Sequence, residues 1–354
     1  MIEVITNKNE WDKIIKGFGE IDFYHFHDYH QAGLKEDETA QLLFYRSGKA
    51  FIAFPIVIRP ISNSGYFDVT SVYGYVGPLI SDNTIPSDLV DWHEQLLSYF
   101  AQNKIVSAFS SLNPFISNQI ALLQDFGEIE NLGAIVYLDL EKSEEYLNAY
   151  SQTTKRYVKR NRKLFVVREG KTQEDAQLFM EIYYQSMDRI QAEPHYYFKL
   201  PYFMKLLQSK DFDARFVFAH AKDTGEIGAG ALIVTTDNRI VQYHLSGTTE
   251  KLRHLSPIRT VIDHVRQQSV ANGSRFFNLG GGVGSSNDSL YGFKASFSKD
   301  RAPFKVWKFI ADQKTYDRLC ELYPPAPNMG KPNYFPKYRS NLRNEQEIEN
   351  KVRD

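Results

Sequence analysis

The sequence predicts an α/β protein with mixed sheets, arranged as two related lobes. Three observations carry that expectation. β-rich and helical runs alternate along the chain, and the order hairpin, strand, helix, strand recurs in each half. The 354 residues also fit about two domains at ~150 residues each. No internal repeat of about 20–50 residues is visible, which argues against a solenoid or propeller.

The elements follow in order. Gln41–Tyr45 and Ala50–Ile58 are β-rich runs around Arg46-Ser-Gly-Lys49, a hairpin signal. Pro55 sits inside the second run and predicts an edge position or a bulge, because proline gives no N–H to a ladder. Leu89–Ala101 has helical spacing, and Ala134–Leu140 reads as a strand. Ser143 opens a helix with Glu144 and Glu145 in its first turn, where acids suit the dipole. In the second half Gln173–Gln191 and Phe203–Ser209 are helices. Arg215–Ala221 and Gly228–Thr235 are strands joined by Lys222-Asp-Thr-Gly225, and Ile240–Leu245 is a third. Pro257 starts a helix to about Ala271, which Asn272-Gly273 ends with a left-handed cap. Phe276–Leu279 and Phe304–Ile310 are further strands, and a short helix runs to Tyr323. Two lobes are expected, at 1–140 and 141–302, with a further strand and helix at 303–323. A proline-rich, charged tail at 324–354 is expected to be mobile.

Composition narrows the function. With 42 Lys and Arg against 43 Asp and Glu the net charge is −1, so DNA is not an expected partner and any nucleic-acid contact must be a local patch. The lone Cys320 excludes an internal disulfide and a cysteine-based metal cluster. Residues 1–11 lack a basic region followed by an apolar core. The longest apolar stretch, Ala50–Ile58, falls short of the ~20 residues of a membrane span. These features predict a soluble, cytoplasmic protein with at most peripheral membrane contact.

Three local patterns could carry chemistry. Phe276–Leu279 runs into Gly280-Gly-Gly282, then a polar turn, then Lys294 among Leu290, Tyr291, Phe293 and Phe297. Glycines after a strand let backbone approach a ligand. The run is neither a P-loop nor the spaced dinucleotide fingerprint. A lysine in an apolar setting can orient an acyl donor or stabilise an oxyanion, or it can snorkel to water. Second, Lys155, Arg156, Lys159, Arg160, Arg162 and Lys163 place six positive charges in nine residues. At about 100° per residue they share one arc, opposite Leu147, Tyr150, Thr154, Tyr157, Val158, Leu164 and Phe165. That face suits a phosphate-rich ligand, RNA included, or is simply solvated. Third, His25 and His27 would share a face if their segment is a strand. The intervening aromatics suggest an interior position instead, and no metal site is assigned, with His30 left open beside them. No nucleophile elbow or zinc-protease motif is present, which disfavours a hydrolase.

Taken together these residues resemble the Fem-type aminoacyltransferase branch of the GNAT acyltransferase superfamily, over roughly 20–310. The resemblance rests on Phe67–Leu79, on Lys155–Lys163, on Tyr184–Arg189 with Tyr196-Tyr-Phe198, on Tyr243–Thr248, and on Phe277–Gly282 through Phe293–Phe297. It implies two tandem GNAT-like lobes, with C-terminal strands returning to the first. It also implies aminoacyl or acyl transfer to an amine of a cell-envelope precursor of the peptidoglycan-peptide type. By the same likeness Lys294 is catalytic, and Asp68, Tyr73, Tyr75, Arg189, Tyr196, Tyr243, Gly281, Gly282 and Tyr291 contact substrate. Lys155, Arg156, Lys159 and Arg160 would contact phosphate or RNA. No cofactor is held tightly; the donor is aminoacyl-tRNA or acyl-CoA. The chain departs from bridge-forming relatives at Gly77-Pro-Leu-Ile80, where the acid, Asp82, falls one place late. It also lacks a glycine pair after Tyr243–Gly247, where acetyltransferases of this fold cradle the coenzyme A pyrophosphate. Two other readings stand beside this one. One is acyl-CoA-dependent N-acetylation of a nucleotide amino-sugar or other polysaccharide precursor. The other is non-catalytic binding of RNA or a membrane surface.

Overall fold

The computed structural model describes residues 1–145, 149–237, 239–324 and 334–340. The chain forms two compact units, Met1–Asn131 with Lys305–Asp354, and Leu132–Phe304. Among the described residues no helix is long and apolar enough to cross a membrane.

The first unit contains β1 (Ile2–Ile5), β2 (Thr39–Ser47), β3 (Ala50–Ile61), β4 (Tyr66–Thr70), β5 (Leu79–Ile80) and β6 (Ile105–Ser111). Its helices are α1 (Lys8–Ile15), α2 (His27–Gly33), α3 (Pro86–Gln102) and α4 (Gln119–Leu123). β2, β3 and β4 form an antiparallel meander, and β4 then pairs in parallel with β6. A parallel pair needs a crossover, and α3 supplies it. Pro86 occupies its first turn, and Asp88 accepts the Ile85 N–H at 3.1 Å. Trp92, Leu96 and Phe100 recur every four residues and are fully buried, at about 1.5–3 kcal/mol each. They pack with Phe54 and Trp307.

Pro55 lies neither at an edge nor in a bulge. It pairs with Leu42 in register, so β3 is flanked on both sides. On the other side β5 takes Ile52 and Ala53, and β4 begins at Val57. The Phe51 N–H and C=O both face that side, so four residues on the Pro55 nitrogen faces it too, in the gap where no partner waits. The missing N–H costs no ladder bond.

The histidines are not alternate strand positions. His25 ends a single 3-10 turn, Phe23–His25, and His27 opens α2. His25 is buried; its Nε2 donates to the Val76 carbonyl at 3.1 Å and its Nδ1 accepts the Asp22 N–H at 3.1 Å. His30 donates to the Tyr24 carbonyl at 3.0 Å. Both are core groups with backbone partners. The tail also differs from expectation. Tyr338 is fully buried, and its hydroxyl meets Asp68 at 3.2 Å and Ser107 at 2.8 Å. Arg339 donates to Asp68 and to the Pro60 carbonyl, both at 2.7 Å. Residues 334–340 are thus a packed part of the first unit, and the rest of the expected mobile stretch, 325–333 and 341–354, lies outside the described residues.

The second unit contains β7 (Glu128–Asp139, whose first residues belong to the other unit), β8 (Phe165–Gly170), β9 (Asp213–Ala221), β10 (Ile227–Thr236), β11 (Ile240–Thr248) and β12 (Phe276–Gly280). Its helices are α5 (Gln152–Leu164), α6 (Gln173–Arg189), α7 (Leu200–Gln208), α8 (Ile258–Ala271) and α9 (Ser289–Ala295). In place of the helix expected from Ser143, Leu140–Glu145 forms 3-10 structure broken by a kink at Lys142; residues 146–148 lie outside the described residues. β9, β10 and β11 form an antiparallel meander, β11 pairs in parallel with β12 across α8, and β12 pairs antiparallel with β7. The first unit has the same sequence of pairings, its last place taken by β13 (Arg301–Ile310), antiparallel to β6. The chain therefore folds as two units of one mixed α/β plan. In the second unit Ile258, Val261, Ile262 and Val265 on α8 pack on Val217, Ala231 and Phe277, which locks the crossover to the sheet.

Candidate active site

The second unit's sheet parts at one place. β11 and β12 pair only over Ile240–Gln242 and Phe276–Asn278, although β11 continues to Thr248. The Asn278 amide donates to the Gln242 Oε1 at 2.8 Å and accepts the Gly280 N–H at 2.8 Å, closing the buried end of the parting. On its other edge β11 carries a bulge, with Leu245 opposite Leu232 and Tyr243 opposite Ile233, so His244 has no register partner. Such bulges bend a strand beside a site.

The glycine run follows directly. Gly280 has φ 76°, a conformation open to glycine at little cost. A side chain at Gly282 would place its Cβ 2.1 Å from the Ser286 carbonyl oxygen and 2.4 Å from Asp288 Oδ1. Asp288 caps α9, accepting the Tyr291 N–H at 2.8 Å and the Val283 N–H at 3.0 Å. On α9, the Lys294 ammonium donates to the Gly281 carbonyl at 2.7 Å. Lys294 is half-buried. Desolvation lowers its pKa from 10.5 to about 8, against a smaller opposing pull from Asp288. At neutral pH it remains mostly protonated, a poorly hydrated point charge fixed against the loop.

The remaining expected residues fall in three places. Tyr243, Arg189 and Tyr196 lie in the same unit as Lys294. Tyr243 is half-buried on β11, and burial raises its phenol pKa. Arg189, at the end of α6, pairs with Glu250 at 3.1 Å and reaches the Thr248 carbonyl at the end of β11 at 3.4 Å. Tyr196 accepts the Tyr183 hydroxyl on its carbonyl at 2.9 Å. Tyr291 stacks its ring under the Arg301 guanidinium at 5.6 Å. Tyr73, Tyr75 and Asp68 belong to the first unit. Tyr73 is exposed, and Tyr75 meets Tyr24 edge-on at 5.9 Å. Asp68 is a structural group: it is fully buried between Arg59 at 2.8 Å and Arg339 at 2.7 Å, so its carboxylate is closed to a ligand.

The cationic helix is α5, and only part of its charge is open. Thr154, Val158 and Asn161 form the buried face, whereas Leu164, expected among them, is 38% exposed. Arg160 donates to the Leu255 carbonyl at 2.6 Å and lies over Tyr157, and Arg162 pairs with Asp263 at 3.0 Å. Arg156, Lys159 and Lys163 are exposed, with no ion pair among the described residues.

Two residues of α8 were not expected. Asp263 accepts from Tyr150 at 3.1 Å, Arg162 at 3.0 Å and Gln267 at 2.7 Å. Arg259 donates to the hydroxyls of Thr154 and Ser296. Their signal in the sequence is a charged residue at each of two positions four apart in an otherwise apolar run, Ile258-Arg-Thr-Val-Ile-Asp263.

Comparison with known proteins bears on the fold. Residues 149–294 match a family model described as an acetyltransferase (GNAT) domain. No curated protein sequence matches the chain. Among solved structures, FemX is similar with a TM-score of 0.70 at 12% identity, covering 89% of this chain and 99% of that one. A tandem GNAT protein from the clavulanic acid biosynthesis pathway has a TM-score of 0.50 at 10% identity, covering 87% and 98%. The L-PGS structure from Bacillus licheniformis has a TM-score of 0.57 at 13% identity, covering 87% and 93%. The chain shares its fold with FemX and with a tandem GNAT protein, and the acetyltransferase (GNAT) domain match over 149–294 supports acyltransferase activity.

Proposed function

We propose that the protein is an N-acyltransferase that transfers an acyl or aminoacyl group to an amine of a cell-envelope precursor, with a peptidoglycan-type peptide as acceptor. The observation that carries this reading is the desolvated Lys294 ammonium held on the Gly281 carbonyl, just past the point where β11 and β12 part. The neutral amine adds to the carbonyl of the donor and a C–N bond forms. The C–O bond of an aminoacyl ester or the C–S bond of a thioester breaks, and the amine's proton ends on the leaving oxygen or sulfur or in solvent. Lys294 stabilises the oxygen that becomes negative as the amine adds, and Gly281 and Gly282 let the donor approach backbone. Tyr243 and Tyr291 line the donor's path, Arg189 and Tyr196 the acceptor's, and the open cations of α5 hold a phosphate-bearing ligand.

The likeness to FemX supports an aminoacyl donor, and the acetyltransferase domain match supports a coenzyme A thioester. Incubation with aminoacyl-tRNA and with acyl-CoA side by side, read by intact mass of the acceptor, decides between them. Lys294→Ala is expected to fold normally and to lower kcat by about 10²–10³-fold, the range for loss of one oxyanion-stabilising group. Near wild-type turnover in a folded variant overturns the assignment.

A further inference from the structure

Arg259 is a cation without a counter-charge among the described residues. It lies in the first turn of α8 and makes no ion pair among the described residues. Its guanidinium sits 4.7 Å from the Phe293 ring centroid and 5.4 Å from those of Phe297 and Tyr157. One of its terminal nitrogens donates to the Thr154 hydroxyl and, at 2.9 Å, to the Ser296 hydroxyl. Its Nε is buried with no hydrogen-bond partner. Thr154 in turn donates to Ser296 at 2.8 Å, and the Ser151 N–H donates to the Ser296 carbonyl at 2.9 Å. Three groups, from α8, α5 and the cap residue Ser151 before α5, meet on Ser296, the residue that caps α9.

Phe293 on α9, its cap Ser296 and Phe297 just past the cap bracket Lys294. A seven-residue helix has little stability of its own and takes its position from what it packs against. Cation–π contact strengthens as the rings are desolvated, and the planar fork fixes direction as well as distance. We propose that Arg259 is a positioning residue for Lys294: by tying the C-terminal turn of α9 to α5 and α8, it holds the lysine side chain in its poorly hydrated place against Gly281. The inference rests on the reading of Lys294 as the group at the reacting carbonyl.

The test reads Lys294 itself, without substrate, so its outcome is separate from that of the activity assay. The pH dependence of amine labelling at Lys294, followed by mass spectrometry on the full chain, gives the midpoint at which this lysine becomes reactive. Asp288 is the charged group whose pull opposes the desolvation of this lysine. In the wild type the midpoint is expected near 8. In Arg259→Met, which keeps the bulk of the stem and removes the fork, α9 loosens, water reaches the ammonium, and the midpoint rises by about one unit or more toward the ordinary lysine value. Arg259→Lys restores part of the shift. Should Arg259→Met fail to fold, Thr154→Val cuts the same tie more gently and is expected to move the midpoint the same way. A folded variant with an unmoved midpoint overturns the proposal. So does unfolding of both variants, which would assign the tie to the fold alone.

Discussion

Lys294 opposes the fold that holds it. Its ammonium titrates near 8 when folded and near 10.5 when unfolded, so between those values the unfolded chain binds more protons. Below about pH 8 the desolvation penalty is fully present, and it fades as pH climbs to 10.5. Lys294→Met is therefore expected to melt no lower than the wild type at pH 7 and to lose that advantage by pH 10.5. Thermal melts at the two pH values check it, and a large drop in melting temperature at pH 7 contradicts it. A charge held at a cost in stability fits the role proposed for Lys294. The lysine was legible in the sequence because its neighbours are aromatic. Its Gly281 anchor was not, because the intervening residues 282–293 must fold into a turn and a capped helix before the two meet.

At the scale of elements, α5 shows why a charge run reads only halfway. Six cations on one arc are visible by periodicity. Which of them remain open depends on Leu255 and Asp263, about a hundred residues away, and no local pattern encodes that. The prediction narrows accordingly. Arg156→Glu with Lys159→Glu should weaken binding of a phosphate-bearing ligand several-fold at low salt, and the gap should close as salt rises. Equal affinities across a salt series remove the role. Reversing Arg160 instead would also free the Leu255 carbonyl and confuse charge with structure. Pro55 gives the same lesson. Its missing donor was correctly noticed, but the gap that absorbs it is made by two different partner strands.

For the whole molecule, the alternation of strands and helices disclosed the class and the two-part plan, since each element announces its period locally. The residues at 334–340 were read as tail because prolines and charges signal a surface segment, while Tyr338 shows its value only against Asp68 and Ser107. Tyr338→Ala is expected to destabilise the first unit by about 3–5 kcal/mol, through an aromatic cavity and lost partners for a buried carboxylate. Urea denaturation followed by tryptophan fluorescence measures it, and a change below about 1 kcal/mol denies the segment its structural part. The first unit is assembled from both ends of the chain, whereas the second is one continuous stretch, 132–304. On the ribosome the second can close as soon as it emerges. The first must wait, its β6 lacking β13 and its buried Asp68 lacking Arg339, until the residues after the second unit have been made.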